Sequence, residues 1–349
     1  MNIERINHGR YLIAPTDHLW EAQGTSNSGA VFLPYSKKME AILSAALGAD
    51  LSKDSCFQDG FVVCIYTGCG ITEDDPVTRQ RRGLALFTPA LELKYRRKDF
   101  ILEPDPSPDS VDSLGIEDAR VTFTEDKFYL WYCGYNGKDG LACCAESSDL
   151  LNWTKHNPLK GNINGTGNKD HVLFPEKIGN KWWLLHRPWG SGLKSADDYV
   201  VRLASADALD GEWTDEGILF RGIKSPEQKF SWVGGGAPPL PLGNGKYLLL
   251  YHTGCFFQND YRRYDGACCL IDFEKYEKGH VENMISHRLE PFMVPETPEE
   301  CNQKLRIDIV FPMSAHLYQE KLYFLYGAGD KATCGASVEW KEIAGLLGQ

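Results

Sequence analysis

Gly115-Ile116-Glu117-Asp118-Ala119-Arg120 puts two carboxylates and a guanidinium within four residues, and the chain then runs on through Val121, Thr122 and Phe123. The β-branched, alternating continuation reads as a strand. In a strand, side chains alternate faces, so Asp118 and Arg120 are expected on one face and Glu117 on the other. By itself such a cluster is a polar turn with a local ion pair. It becomes a reaction centre only if other polar groups converge on it.

Candidates for that convergence are the carboxylates Asp170 and Asp330, the cations Lys169 and Arg187, His252, and the aromatics Tyr66, Tyr135, Trp189 and Trp232. Carboxylates with flat aromatic faces suit sugars, accepting from hydroxyls and stacking on the pyranose ring. Cleaving a glycoside needs a proton donor for the leaving oxygen and a nucleophile or base on the opposite face. Asp118 is the expected proton donor. Arg120 is its structural partner or a substrate contact; an adjacent arginine lowers a carboxyl pKa, so an acid role requires that another partner or the substrate occupy it. Lys169, Arg187 and His252 could hold inorganic phosphate. Phosphate would then attack in place of water, no carboxylate base would be needed, and a sugar 1-phosphate would form. Equally, Lys169 and Arg187 could merely neutralise Asp170 and Glu176, and the residues alone leave both readings open.

The elements that must position these groups recur. Aromatic-rich strands are expected at 61–68, 128–134, 181–187, 246–252 and 321–327, at intervals of 53 to 75 residues, longer than the ~40–50 of shorter propeller repeats. Each is followed by a strand of small and apolar residues (83–87, 141–145, 201–205, 266–270, 335–338) and preceded by another (29–33, 119–123, 171–174, 237–242, 310–314). Outer strands fit at 94–97, 153–156 and 213–216, and 10–14 could supply the last and close the ring. One short helix is expected near Met39 to Leu47. Five similar units of up to four strands point to an all-β, five-bladed β-propeller occupying residues 1–349 as a single domain. In that geometry the starts of the first strands and the ends of the second meet on one rim. Glu117, Asp118, Lys169, Asp170, Arg187, Trp232, His252 and Asp330 all fall at such positions, where loops on a rigid scaffold carry function.

A net charge of −11 with no basic cluster argues against nucleic acid as a partner. No apolar run of about eighteen residues suggests a membrane span, and Met1 to Arg5 lacks a signal-peptide core, so a cytoplasmic enzyme is expected. The eleven cysteines include the adjacent pairs Cys143-Cys144 and Cys268-Cys269 and no Cys-x-x-Cys, which reads as reduced thiols serving as small hydrophobes, with no metal site. The aromatic loops at Trp189 and at Phe256-Phe257 would cap the site or form a subunit contact, which keeps a homo-oligomer open.

Gly115–Arg120, Asn168-Lys-Asp-His-Val-Leu-Phe-Pro-Glu-Lys177, His186-Arg-Pro188, Gly234-Gly-Gly-Ala-Pro-Pro239, Tyr251-His252 and Gly327-Ala-Gly-Asp330 occur in order. Together they resemble glycoside hydrolase family 130, the β-mannoside phosphorylases and β-mannosidases, over about Gly115 to Asp330. The resemblance implies an inverting enzyme that transfers a mannosyl unit from a β-mannoside oligosaccharide to inorganic phosphate, giving α-mannose 1-phosphate, with no other cofactor. It implies Asp118 as the acid, acting through a hydroxyl of the bound mannose; Lys169, Arg187 and His252 on phosphate; and Asp330 on the mannosyl unit. Glu117, Arg120, Asp170 and Trp232 are the remaining expected substrate contacts. Three positions depart from the family pattern: Ala119 replaces a common proline, Thr67 an arginine, and Trp232 a lysine of the phosphorylases. Lys229 could substitute for that lysine. If phosphate does not bind, the alternative is an inverting β-mannosidase with Glu227 or Glu176 activating water. A non-catalytic sugar-binding propeller is the third reading.

Overall fold

The computed structural model describes residues 1–165, 167–189, 199–223 and 225–348. Strand β1 (Glu4–Arg5) is followed by β2 (Gly29–Leu33), helix α1 (Lys37–Leu47), β3 (Phe61–Gly70), β4 (Arg79–Phe87) and β5 (Leu93–Arg96). Ser36 caps α1 by accepting from the Met39 amide, and Gly48 ends it in the left-handed conformation. Strands β2 to β5 pair in order as one antiparallel unit. The second unit is β6 (Gly115–Thr124), β7 (Lys127–Tyr135), β8 (Gly140–Ser147) and β9 (Thr154–His156). After the short β10 (Lys160–Gly161), the third comprises β11 (Asn168–Leu173), β12 (Trp182–Pro188), β13 (Val201–Ala206) and β14 (Glu212–Phe220).

In the fourth unit, β15 (Gln228–Gly235) and β16 (Leu240–Gly243) both pair with β17 (Lys246–Phe257), which pairs with β18 (Arg262–Asp272) and that with β19 (Ile285–Met293). The single strand expected at 237–242 is therefore two strands. Pro238 and Pro239 lack amide protons and break the ladder, and the inner strand starts earlier, at Gln228. Following β20 (Cys301–Asn302), the fifth unit is β21 (Ile307–Tyr318), β22 (Lys321–Ala328) and β23 (Ala332–Glu339), and β1 adds to β23 from the N-terminus. The N-terminal segment does supply the last strand, but as Glu4–Arg5. The chain turns away through the left-handed residues Asn7 and His8, and residues 10–14 form no strand but bond back to Thr333 through Leu12 and Ile13.

The chain is thus nearly all β, and its cores lie between units. Alternate residues of β3 face opposite ways: Phe61, Val63 and Ile65 join the core shared with the second unit, while Val62, Cys64 and Tyr66 join the core shared with the fifth. The same division sends Cys143 and Cys144, and likewise Cys268 and Cys269, into different cores. Burial on both faces is why these strands read as continuous apolar runs, and each buried Leu, Val or Phe side chain contributes about 1.5–3 kcal/mol. All eleven cysteines are free thiols. Among the described residues no helix is long and apolar enough to cross a membrane.

Two parallel contacts bind neighbouring units near one end. Gln80 of β4 pairs with Gly115 of β6, and Arg262 to Tyr264 of β18 pair with Ile307 to Ile309 of β21. That end carries the polar residues.

Candidate functional site

Two adjoining cavities, of about 300 and 350 Å³, open there and share Asp118, Lys169, Arg262, Tyr264 and Phe311. Asp170, Arg187, Trp232 and His252 line the first; Glu117, Asn27, Gln80 and Asp330 line the second. Eight of the nine residues singled out in the sequence therefore converge. Arg120 does not line either cavity.

The backbone explains why. Asp118 has φ +48° and Asp170 φ +56°, both left-handed. At each, the ladder to the neighbouring strand shifts register, between Glu117 and Arg120 in β6 and between Lys169 and Val172 in β11. Such bulges re-aim side chains, and aspartate tolerates the conformation better than branched residues do. The expected alternation is therefore broken. Glu117 and Asp118 both reach the cavity, and Arg120 turns inward, fully buried. Its Nε donates to the Gly236 carbonyl (3.0 Å), Nη1 to the Asp118 carbonyl (2.7 Å), and Nη2 to the Gly235 carbonyl (2.9 Å) and Asp170 Oδ1 (3.3 Å). With every nitrogen engaged and no exposure, Arg120 ties three units together and cannot be a substrate contact. It touches the Asp118 backbone and leaves the carboxylate to others.

That carboxylate accepts from Asn27 Nδ2 at 2.6 Å. Asn27 also has a left-handed backbone, φ +49°, just before β2.

A buried ionic cluster lies behind. Asp170 is 1% exposed and accepts from Arg187 Nε at 2.6 Å, with His252 Nε2 3.8 Å from the same oxygen. Burial alone would raise the Asp170 pKa, but Arg187, His252 and Arg120 outweigh it and hold the carboxyl well below the usual range. Burial pushes the His252 imidazole down to about 4, only partly offset by Asp170. His252 is thus neutral at pH 7, and neither ring nitrogen has a hydrogen-bond partner among the described residues. Gly234 stands opposite His252 in the ladder, where a Cβ would fall 2.1 Å from Asp170 Oδ2 and 2.4 Å from His252 Cε1, so only glycine lets the two approach.

Lys169 Nζ bonds Glu117 Oε2 at 2.8 Å and sits 4.4 Å over the Trp189 ring. Burial works against its charge, but Cys133, Glu117 and Asp118 hold its pKa above the ordinary lysine value. Gln80 Nε2 donates to the other Glu117 oxygen at 2.7 Å. Trp232 is buried against Tyr264 (5.2 Å between centroids), Phe256 (5.5 Å) and Phe230 (5.8 Å). Asp330 stands at the mouth, its side chain 44% exposed, with Arg262 Nη2 3.9 Å away. Its confined surroundings raise the carboxyl pKa.

Several expectations fail. Glu227 is exposed and hydrogen-bonded to Ser225, and Glu176 accepts from Tyr247; neither lines a cavity. Lys229 pairs with Asp260 on the surface and brings no charge to the site. Tyr66 is sunk in the core, donating to Glu21. Arg262 was missed altogether. Its only trace is a basic pair, Arg262-Arg263, beside Tyr264 just after the aromatic Phe256-Phe257 loop. Among the described residues no group of three or more His, Cys, Asp or Glu side chains is arranged to hold a metal ion.

Comparison with known proteins adds the following. A family model described as beta-1,4-mannooligosaccharide phosphorylase, Glyco_hydro_130, matches residues 69–349. A beta-1,2-mannobiose phosphorylase of Listeria innocua is 29% identical over 281 residues, covering 78% of this chain and 74% of the relative. A beta-1,2-mannobiose phosphorylase of Thermoanaerobacter is 30% identical over 235 residues, covering 66% of this chain and 69% of the relative. Among solved structures, that of the Listeria innocua enzyme with beta-1,2-mannobiose superposes with a TM-score of 0.73 over 100% of this chain and 99% of the other at 20% identity, a likeness of fold.

Proposed function

The chain belongs to glycoside hydrolase family 130, and from that premise we propose that it is an inverting β-mannoside phosphorylase whose five antiparallel units are the blades of a β-propeller. Five of the cores support the propeller, since each of these is shared by successive units and the last unit packs on the first. The observation that carries the function is the composition of the cavities. Asp118 faces Lys169, Arg187 and His252, while neither Glu227 nor Glu176 reaches the site to activate water.

In the proposed reaction the terminal mannosyl unit lies against Asp330 and Asp118. A phosphate oxygen, held by Lys169, Arg187 and the His252 N–H, bonds to the anomeric carbon. The bond from that carbon to the acceptor oxygen breaks, with inversion. Asp118 supplies the leaving oxygen with a proton through a mannose hydroxyl. Asn27 occupies Oδ1, which leaves Oδ2 to carry that proton. Glu117 holds Lys169, and Trp232 offers the acceptor sugar an apolar face. The names of the relatives make β-1,2-linked mannobiose the first substrate to test. The free thiols suit a reducing compartment such as the cytoplasm.

One observation favours hydrolysis instead. Lys169 and Arg187 are each already paired with a carboxylate, and Asp330 is a cavity carboxylate with no hydrogen-bonded partner among the described residues. Incubating mannobiose with and without phosphate separates the readings. Phosphorolysis requires phosphate; hydrolysis gives free mannose in its absence. No turnover under either condition, with sugar still bound, would indicate a binding module.

A further inference from the structure

Among the described residues three cations line the cavities, and they differ in how far they are committed. Lys169 Nζ is 2.8 Å from Glu117, and Arg187 Nε is 2.6 Å from Asp170; each is largely buried and charge-compensated. Arg262 lines both cavities, its side chain is 36% exposed, and its nearest carboxylate, Asp330, is 3.9 Å away, beyond hydrogen-bond reach. Among the described residues its side chain has no closer polar partner. The guanidinium lies 5.8 Å over the Tyr264 ring, and Tyr264 packs on both Trp232 and His252. β18 holds it there, pairing with β21 from Arg262 onwards.

We infer that Arg262 is a phosphate-binding residue of this enzyme, supplying the uncommitted positive charge that the anion cluster behind it lacks. The inference rests on the phosphorylase reading and deepens it. Among the described residues, an arriving phosphate dianion at the junction of the cavities meets two neutralised pairs and one arginine with donors to spare. A guanidinium grips two phosphate oxygens at once, where a lysine gives a point charge. Its departure from Asp330 would also free that carboxylate for mannosyl hydroxyls, so the two substrates would assist each other's binding.

Initial rates measured against phosphate and against mannobiose test this in Arg262→Gln and Arg262→Lys, with calorimetric titration of inorganic phosphate as a second readout. In Arg262→Gln the KM for phosphate should rise about tenfold or more, as loss of a charged hydrogen bond implies, while the KM for mannobiose changes less than about twofold. Arg262→Lys should recover part of the phosphate affinity, a rescue that a purely structural role would not produce. A raised KM for mannobiose with phosphate affinity unchanged overturns the assignment. The wild-type protein separates the two claims: indifference to phosphate refutes the phosphorylase reading itself, whereas phosphate dependence that survives unaltered in Arg262→Gln refutes only the role of Arg262.

Discussion

Asn27 Nδ2 and Asp118 Oδ1 meet at 2.6 Å, each carried on a left-handed residue, one before the first strand of the first unit and one within the bulged first strand of the second. The hydrogen bond spans the junction of two units and fixes which oxygen of Asp118 faces the cavity. Asn27→Ala should leave the fold intact but let the carboxylate rotate. Loss of a hydrogen bond to a charged group costs about 1.5–3 kcal/mol, so kcat should fall by roughly tenfold to a hundredfold, with KM values little changed and the melting temperature near wild type. Steady-state kinetics with a parallel thermal melt checks both.

Asp118→Asn removes the proposed proton donor while keeping size and most hydrogen bonding. A general acid contributes typically about 10²–10⁴-fold, and kcat should drop within that range. Mannobiose binding measured by calorimetry should persist. Turnover at the wild-type rate would refute Asp118 as the acid.

Asp170 neutralises Arg187 and Arg120 in a largely buried cluster at the back of the cavity. Asp170→Ala leaves two buried guanidinium groups uncompensated and should destabilise the protein by about 3–5 kcal/mol, read by urea unfolding. Gly234→Ala drives a methyl group into the same carboxylate and His252. It should cost about 1–3 kcal/mol through overpacking and abolish activity by displacing His252.

Acid should weaken the fold in two steps. The pKa of His252, His186 and His316 is lowered to about 4 and that of His171 to about 3, each chiefly by burial. Unfolded histidines titrate near about 6.5, so between that pH and 4 the unfolded chain binds more protons than the native one, and stability falls as pH falls. Asp170, depressed in the native state, contributes stability that is complete above the unfolded aspartate value of about 3.9 and lost as the pH drops further. Urea midpoints at pH 7, 5.5 and 4 should therefore decline steadily. A flat profile over that span would contradict neutral burial of these histidines.

Much of this architecture could be read along the chain because burial on both faces makes the strands conspicuous. The aromatic runs at 61–68 and 321–327 are legible as most of β3 and β22, and the short helix near Met39 to Leu47 as most of α1. The convergence of Asp118, Lys169, Arg187, His252 and Asp330 on two adjoining cavities is what the repeat leads one to expect, because it puts these residues at equivalent strand ends. What the alternation rule missed depends on pairing. The bulges at Asp118 and Asp170 exist only against β7 and β12, and they send Glu117 into the cavity and Arg120 away from it. Apart from the Asp118 carbonyl, the partners of Arg120 lie 50 to 116 residues away along the chain. Glu227 and Glu176, the carboxylates offered as activators of water, lie at the surface, and Arg262 follows a loop whose path no local pattern specifies.

The central claim is that phosphate, not water, attacks the mannosyl carbon. Following β-1,2-mannobiose with the enzyme in phosphate buffer by proton and phosphorus NMR tests it directly. α-Mannose 1-phosphate is expected as the first-formed product, in a one-to-one ratio with released mannose and absent when phosphate is withheld. Two equivalents of free mannose formed at the same rate without phosphate, and no phosphate ester with it, would contradict the claim.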